Sequence, residues 1–285
     1  MPTISEAIRE GTHYLRAFSI IEERRTAGLL LAHALKVERT YILTRASEEV
    51  DDEDYHSYLR MIERRAQGEP LQYITGHQEF YGLDFIITPD VLIPRPETEF
   101  LVERVIALAG RDSPLIVDVG TGSGCIAVTL AFQIPGAMLK AADISGRALA
   151  VARANAEHHG VAARMDFIEG DLLEPFASRG LEGRVDFLVS NPPYVPDGNI
   201  QSLQREVRDW EPLMALSGGA DGLDFYRRLF VDGLTYVRQG GYLMCEMGYN
   251  QIGMISDMID PAKWQIADVI EDLQGFPRVL VMRRL

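Results

Sequence analysis

An apolar run, DFLVS, ends in Asn191-Pro192-Pro193-Tyr194. A strand that only had to stop could do so with Gly or Asp. Pro192 and Pro193 fix their own φ and restrict the residue before each, and neither carries an N–H. The loop is therefore stiff and rich in free carbonyl acceptors. Asn191 adds a side-chain carbonyl, and Tyr194 a flat apolar face with a polar tip. Together these groups suit a planar NH₂: Asn191 Oδ1 and the Pro192 carbonyl take its two protons, and the tyrosine is a platform. Asn-Pro also commonly marks a plain rigid turn. The motif does not choose between a glutamine amide, adenine N6 and cytosine N4.

A second constellation lies upstream. The run PLIVDV leads into Gly120-Thr121-Gly122-Ser123-Gly124, with Asp118 two residues ahead. The dinucleotide fingerprint would need its third glycine at position 125, which is Cys. Glycines here let the backbone pass close under a ligand, with a helix N-terminus behind it that attracts a carboxylate. Asp143 follows one helix and one strand later, which sets it beside the glycine loop. A carboxylate there accepts from two ribose hydroxyls; alone, it would simply cap the helix near Ser145. Asp171 ends the next strand and is a candidate acceptor for an adenine amino group, with Leu172 on the ring; here capping is nearly as good a reading. Cys125 reads as a small buried residue.

These residues need a scaffold, and the chain supplies an alternating one. From position 114 onward, apolar β-branched runs alternate with helical patterns, which implies a mostly parallel sheet covered on both faces. The last two runs, WQIADVIEDL and PRVLVMRRL, are joined only by QGFP and should pair antiparallel. Residues 1–70 carry apolar residues at helical spacing and read as a bundle of about three short helices. Residues 71–94 include EFYGLDFIIT, which alternates and is broken by Gly82: a β-hairpin linker. Residues 95–285 form the α/β domain.

Bulk properties narrow the function. The 285 residues carry a net charge of −14, shared about equally by the first hundred residues and the rest, and neither part is basic. Binding through phosphate neutralisation needs a Lys/Arg face, so direct nucleic-acid binding is not expected. Only a local basic patch stays open. Cys125 and Cys245 form no metal or redox motif, which suits a reducing cytosol. The N-terminus does not read as a signal peptide, and no run has the length of a membrane span. The six histidines show no metal-ligand spacing, and His158-His159 reads as a solvated face.

The glycine loop with Asp118, Asp143 and Asp171 resembles the class I S-adenosylmethionine-dependent methyltransferases. The resemblance covers roughly residues 114–285. It implies a Rossmann-like seven-stranded sheet with an antiparallel last strand, and the cofactor's methionine end at Gly120–Gly124. The first motif then gains a chemical purpose. An amide nitrogen has its lone pair delocalised and attacks a methyl sulfonium poorly. Taking both N–H protons raises electron density on nitrogen and aims its lone pair. The gain is orientation and preorganised electrostatics, with no metal and no covalent intermediate required.

LIPRPETEFLVE (Leu92–Glu103), EFYG, EMGYNQ (Glu246–Gln251) and EDLQGFPRVLV resemble the release factor glutamine methyltransferase family. That match runs from about residue 69 to the end. It implies methylation of the Gly-Gly-Gln glutamine of peptide chain release factors, S-adenosylhomocysteine as by-product, a cytoplasmic location, and an N-terminal bundle that holds the protein substrate. Ribosomal-protein glutamine methyltransferases share the central motif, but IPRPETE favours the release factor branch. Arg95, Glu97 and Thr98 either line the cofactor's amino-acid end or merely start a helix. Phe80 and Tyr81 either pack by the methyl-transfer site or, the better reading, form hairpin core; Glu246 ends a central strand near the site and reads as a structural hydrogen-bonding residue. An adenine-N6 methyltransferase and a non-catalytic cofactor-binding module are the rival classes.

Overall fold

Thr3 opens the first helix with a reciprocal cap: its hydroxyl accepts from the Glu6 N–H, and the Glu6 carboxylate accepts the Thr3 N–H. The computed structural model describes residues 1–110 and 113–285. Its helices before the first strand are α1 (Ile4–Ala17), α2 (Glu23–Ala34), α3 (Arg39–Thr44), α4 (Asp52–Ala66) and α5 (Leu71–Thr75). There follow β1 (His77–Phe80), β2 (Leu83–Ile86), α6 (Glu99–Ala109), β3 (Leu115–Val119), α7 (Cys125–Gln133), β4 (Met138–Asp143), α8 (Gly146–His158), β5 (Met165–Glu169) and β6 (Val185–Ser190). The chain ends with α9 (Arg205–Trp210), α10 (Asp224–Tyr236), β7 (Val237–Glu246), α11 (Ile252–Asp257), β8 (Trp264–Glu271) and β9 (Pro277–Arg284).

Two compact units result. One comprises Met1–His77 with Gln204–Trp210, the other Gln78–Leu203 with Glu211–Leu285. The first is built around Ile4, Leu15, Leu30, Leu31, Tyr58 and Ile62, all nearly inaccessible. Gly11 sits in the middle of α1 for a steric reason: a Cβ there would lie 1.9 Å from the Tyr58 hydroxyl. That hydroxyl reaches in to donate to the Ala7 carbonyl at 3.1 Å. The helices of this unit outnumber the expected three because α3 and α5 span only six and five residues. That is too short for a 3.6-residue period to register. α5 also takes up the start of the segment expected to be a hairpin linker. The segment carrying α9 joins this unit although its sequence neighbours do not. Arg65 Nη2 donates to Glu206 Oε2 at 2.5 Å, and Arg205 Nη2 to the Gln67 carbonyl at 2.7 Å.

In the second unit, β1 and β2 pair through a turn in which Tyr81 and Gly82 both have positive φ, 52° and 76°. This is the type I′ pattern whose twist suits a two-residue hairpin. Tyrosine is strained there, and the Glu99 carboxylate holds its N–H at 2.9 Å. Phe80 packs edge-on against Phe85 within the hairpin, so its expected core role stands. His159 departs from the solvated face expected of it. Its Nε2 lies 2.8 Å from the Asp84 carbonyl, and its ring lies 5.3 Å from that of Phe85.

The large sheet has the strand order β5-β4-β3-β6-β7-β9-β8. All neighbours are parallel except at β9, which runs antiparallel to β7 and β8. The chain moves outward from β3 to β5, then returns to β3's other side with β6. Loops therefore diverge between β3 and β6, the crevice where open α/β sheets hold ligands. Val119 and Ser190 are register partners there, as are Val119 and Ala142. Gly120, Asn191 and Asp143 consequently emerge together at one sheet edge.

Candidate functional site

The crevice is a cavity of about 390 Å³, within the range of small-molecule sites. Its wall includes Gly120, Thr121, Gly122, Ser123, Asp143, Asp171, Leu172, Asn191, Pro192 and Pro193. All lie close to the sheet edge described above: Asp143 ends β4, and the others come within about four residues of the ends of β3, β5 or β6.

The glycine loop is held by its neighbours. The Gly120 and Thr121 N–H groups both donate to the Ala142 carbonyl, at 2.9 and 3.0 Å. Gly120, Gly122 and Gly124 all have positive φ, which Gly alone adopts without strain. Gly124 faces α8 rather than the cavity: a Cβ there would meet that of Ala152 at 3.0 Å. Asn155 on α8 is fully buried. Its Oδ1 accepts from the Ile86 N–H at 2.7 Å, while its Nδ2 donates to the Ile86 and Ser123 carbonyls at 3.0 and 2.9 Å. One amide thus ties hairpin, helix and glycine loop together. A lone Asn inside a helical pattern carries no such signal in the sequence.

Asp143 does more than cap a helix. Its Oδ2 accepts from the Gly122 N–H at 2.8 Å and its Oδ1 from the Ser145 N–H at 2.9 Å. The cap of α8 itself is Ser145, whose hydroxyl accepts from the Ala148 N–H. Each Asp143 oxygen keeps a further lone pair. Burial raises the carboxyl above its ordinary value, opposed by these N–H donors.

Asp118 lies behind the loop and not on the cavity wall. Thr121 Oγ1 donates to its Oδ2 at 2.6 Å, while its Oδ1 has no hydrogen-bond partner. Complete burial pushes the carboxyl up to about 7, offset in part by Thr121 and the more distant Ala127 amide. Asp171 reaches the wall, but Arg228 forks onto both its oxygens at 3.0 and 2.8 Å. Leu172 holds a positive φ of 48° against the wall, a conformation that costs a non-Gly residue about 1–2 kcal/mol. Backbone strain of this kind gathers at functional sites.

Asn191, Pro192 and Pro193 reach the wall from the β6 side. Asn191 Nδ2 donates to Thr98 Oγ1 at 3.2 Å, and Thr98 Oγ1 donates to Glu246 Oε2 at 2.5 Å. Among the described residues none donates to Asn191 Oδ1 or to the Pro192 carbonyl. The two acceptors expected from the sequence are therefore open. Tyr194 is placed differently from the expected platform. It lies off the cavity wall, packs against the core, and its hydroxyl donates to Glu246 Oε1 at 3.3 Å. Gln251 Nε2 holds the Tyr194 carbonyl at 2.9 Å, and Gln251 Oε1 accepts the Gly248 N–H at 2.9 Å. Glu246 and Gln251 thus brace this loop from behind. Burial pushes the Glu246 carboxyl up to about 7, against the Thr98 and Tyr194 hydroxyls that favour its ionised form.

Of the other residues singled out in the sequence, Arg95 and Thr98 line the cavity. Arg95 Nη2 is paired with the buried Glu211 carboxylate at 2.6 Å. Cys125 is half-buried and lines the cavity too, so it is not the enclosed residue expected. The sequence reading missed Ile126, Ile144, Met214 and Phe225, which supply apolar wall. Ile144, directly after Asp143, was within reach of a motif argument; Met214 and Phe225 come from distant loops with no chemical signature.

Residues 6–76 match the family described as PrmC N-terminal domain, and residues 96–207 the Methyltransferase small domain. Relatives named release factor glutamine methyltransferase include one from Moorella thermoacetica, 44% identical, and one from Koribacter versatilis, 41% identical; each alignment covers 99% of both chains. A third, from Bacillus subtilis, is 40% identical over 98% of this chain and 97% of its own. Among solved structures, a methyltransferase from Pyrococcus furiosus aligns with a TM-score of 0.52 at 16% identity, covering 72% of this chain and 90% of its own. A ribosomal protein L11 methylase from Lactobacillus delbrueckii aligns at 0.50 and 20% identity, covering 73% and 89%. At such identities the structures speak for the methyltransferase fold alone.

Proposed function

Since the chain belongs to the release factor glutamine methyltransferase family, we propose that it methylates the side-chain amide nitrogen of the Gly-Gly-Gln glutamine in peptide chain release factors, with S-adenosylmethionine as donor. The observation that carries this reading is the pair of open acceptors, Asn191 Oδ1 and the Pro192 carbonyl, on the wall of a cavity that also holds the glycine loop.

The residues present fit the donor. It is a cation at its sulfonium and its ammonium, and the wall carries the carboxylates of Asp143 and Asp171, with the buried, unpartnered Asp118 Oδ1 behind the glycine loop. Gly120–Ser123 would hold the methionine end, Asp143 the ribose hydroxyls, and Asp171 with Leu172 the adenine. When bound, S-adenosylmethionine supplies an electrophilic methyl group.

The chain's own groups do the rest. Asn191 Oδ1 and the Pro192 carbonyl accept the two amide protons of the substrate and hold its plane. That raises electron density on nitrogen and orients it for attack, while the two prolines keep the acceptors from relaxing. Tyr194 shapes this loop through its hydroxyl bond to Glu246, from outside the cavity wall. Methylation leaves the nitrogen cationic with one proton in excess, and an N-protonated amide is acidic enough to lose that proton to water without a protein base.

The first unit supports a protein partner. A groove of about 710 Å³ between α1, α2 and α3 is lined by Arg9, His13, Arg16, Arg24, Arg25 and Arg39 over a floor of Ile4, Ile8 and Ile42. Arg16 and Arg25 are paired with Glu23 and Glu22; among the described residues Arg9, Arg24 and Arg39 form no ion pair. This concentration of arginine in a chain of net charge −14 suits an acidic face of the substrate. Among the described residues no Phe, Tyr or Trp lines the groove, so it lacks the row of stacking platforms of a single-stranded RNA channel. No described helix is long and apolar enough to cross a membrane. A cytoplasmic location follows from the proposed substrate.

The test is incubation with labelled S-adenosylmethionine and release factor, followed by mapping of the label. The expected site is the Gly-Gly-Gln glutamine nitrogen. Label on nucleic acid, with release factor unmodified, would overturn the reading.

A further inference from the structure

Asn191 carries two opposite groups on one planar amide, an acceptor and a double donor, and only the acceptor can take a proton from the substrate. Something must decide which one faces the cavity. Nδ2 donates to Thr98 Oγ1 at 3.2 Å, and Thr98 donates onward to Glu246 Oε2 at 2.5 Å. A hydroxyl has one proton. While Thr98 gives it to Glu246, its oxygen can only accept from Asn191, and only the NH₂ end of the amide satisfies it. The flipped amide would set two acceptors against each other.

We propose that Glu246, acting through Thr98, is the positioning residue that turns Asn191 Oδ1 into the cavity, and that it does so only as a carboxylate. This rests on the glutamine methyltransferase reading above. A protonated Glu246 donates to Thr98 Oγ1 and frees the Thr98 proton for Asn191 Oδ1. The chain of bonds then reverses, and Nδ2 faces the substrate NH₂, donor against donor.

The surroundings of Glu246 make that reversal accessible. Tyr194 donates to its other oxygen, and Tyr226 holds its backbone carbonyl at 2.8 Å. Glu97 opposes its ionisation and Arg278 on β9 favours it. Burial is the largest influence and brings the carboxyl to about 7. Asp118 titrates in the same range, so a pH profile alone does not separate the two acids.

The experiment compares Glu246→Gln, Thr98→Val and Thr98→Ser with the parent chain. Glu246→Gln and Thr98→Val should each lower kcat by about 100-fold or more, the scale of losing one preorganised partner. Their KM for release factor and their calorimetric affinity for S-adenosylhomocysteine should stay within about two-fold. Thr98→Ser keeps the hydroxyl and should keep turnover. In the parent chain kcat should fall as pH drops through about 7, and Glu246→Gln should abolish that limb. A readout independent of substrate identity is the ¹⁵N resonance of the Asn191 side-chain amide. It should titrate with Glu246 in the parent chain and stay fixed in Glu246→Gln.

Parent-like turnover in Thr98→Val, or an Asn191 resonance that titrates unchanged in Glu246→Gln, overturns the proposal. Should the parent chain leave release factor unmodified while the Asn191 resonance behaves as stated, the substrate reading fails and the positioning device stands. If Glu246→Gln does not fold, the two Thr98 variants decide the matter without disturbing the buried acid.

Discussion

The Gly122 N–H donates to Asp143 Oδ2 at 2.8 Å, so the carboxylate expected to bind a ribose is also the strut of the glycine loop. Asp143→Ala should therefore cost more than a ribose contact. Loss of charge-assisted bonds of about 1.5–3 kcal/mol predicts roughly 10- to 100-fold weaker binding of S-adenosylhomocysteine. The KM for release factor should be nearly unchanged. Calorimetry checks the first and steady-state kinetics the second, and unaltered affinity would remove Asp143 from the site.

Asn191→Ala deletes the acceptor and leaves the loop's prolines in place. Turnover should fall by about 10²–10³-fold, with S-adenosylhomocysteine affinity within about three-fold of the parent. Single-turnover kinetics separates this from slower product release. Normal turnover would refute the role given to the side chain.

Asp118 predicts an unusual pH dependence of stability. Its folded-state carboxyl lies near 7 and its ordinary value is 3.8. Between these values the native state binds more protons than the unfolded chain, so this group's contribution is present at low pH and lost as pH rises toward 7. A displacement of that size corresponds to roughly 4 kcal/mol. Asp118→Asn, which cannot ionise, should raise the Tm of the ligand-free protein more at pH 8 than at pH 5.5, while weakening cofactor binding. An equal effect at both pH values would show that the buried charge is not what costs stability.

The arginine groove of the first unit is tested by charge reversal. Replacing Arg9, Arg24 and Arg39 with Glu should raise KM for release factor at least about ten-fold, while kcat at saturation and cofactor affinity stay put. The parent's KM should rise with salt, and the variant's should respond much less. A KM that ignores both the substitution and ionic strength would exclude the groove from substrate docking.

Some of this molecule is legible residue by residue. Val117, Val119, Leu188 and Val189 form strands buried on both faces, so their apolar runs are nearly continuous and announce a parallel sheet. The Gly120–Gly124 loop and Asn191–Pro193 are short, local and chemically improbable as plain turns, so they stood out as candidates before any coordinates; the place of Tyr194, off the cavity wall with its hydroxyl on Glu246, did not. α3 and α5 escaped because they are too short for periodicity, and α9 because an ion pair to Arg65, distant in sequence, assigns it to the first unit.

Composition and local spacing were enough to imply a mostly parallel α/β chain with a stiff pair of oxygen acceptors, because backbone stiffness and acceptor chemistry reside in the residues themselves; methyl transfer entered only through the motifs' resemblance to a known family. Folding alone settled which way those acceptors point and what sustains them. The orientation of Asn191 depends on Thr98 and Glu246, and the glycine loop on Asn155 of α8, partners distant in sequence that meet only once the helices are packed on the sheet. A hydrogen bond needs its two ends within about 3 Å, and no reading of separate segments supplies that distance.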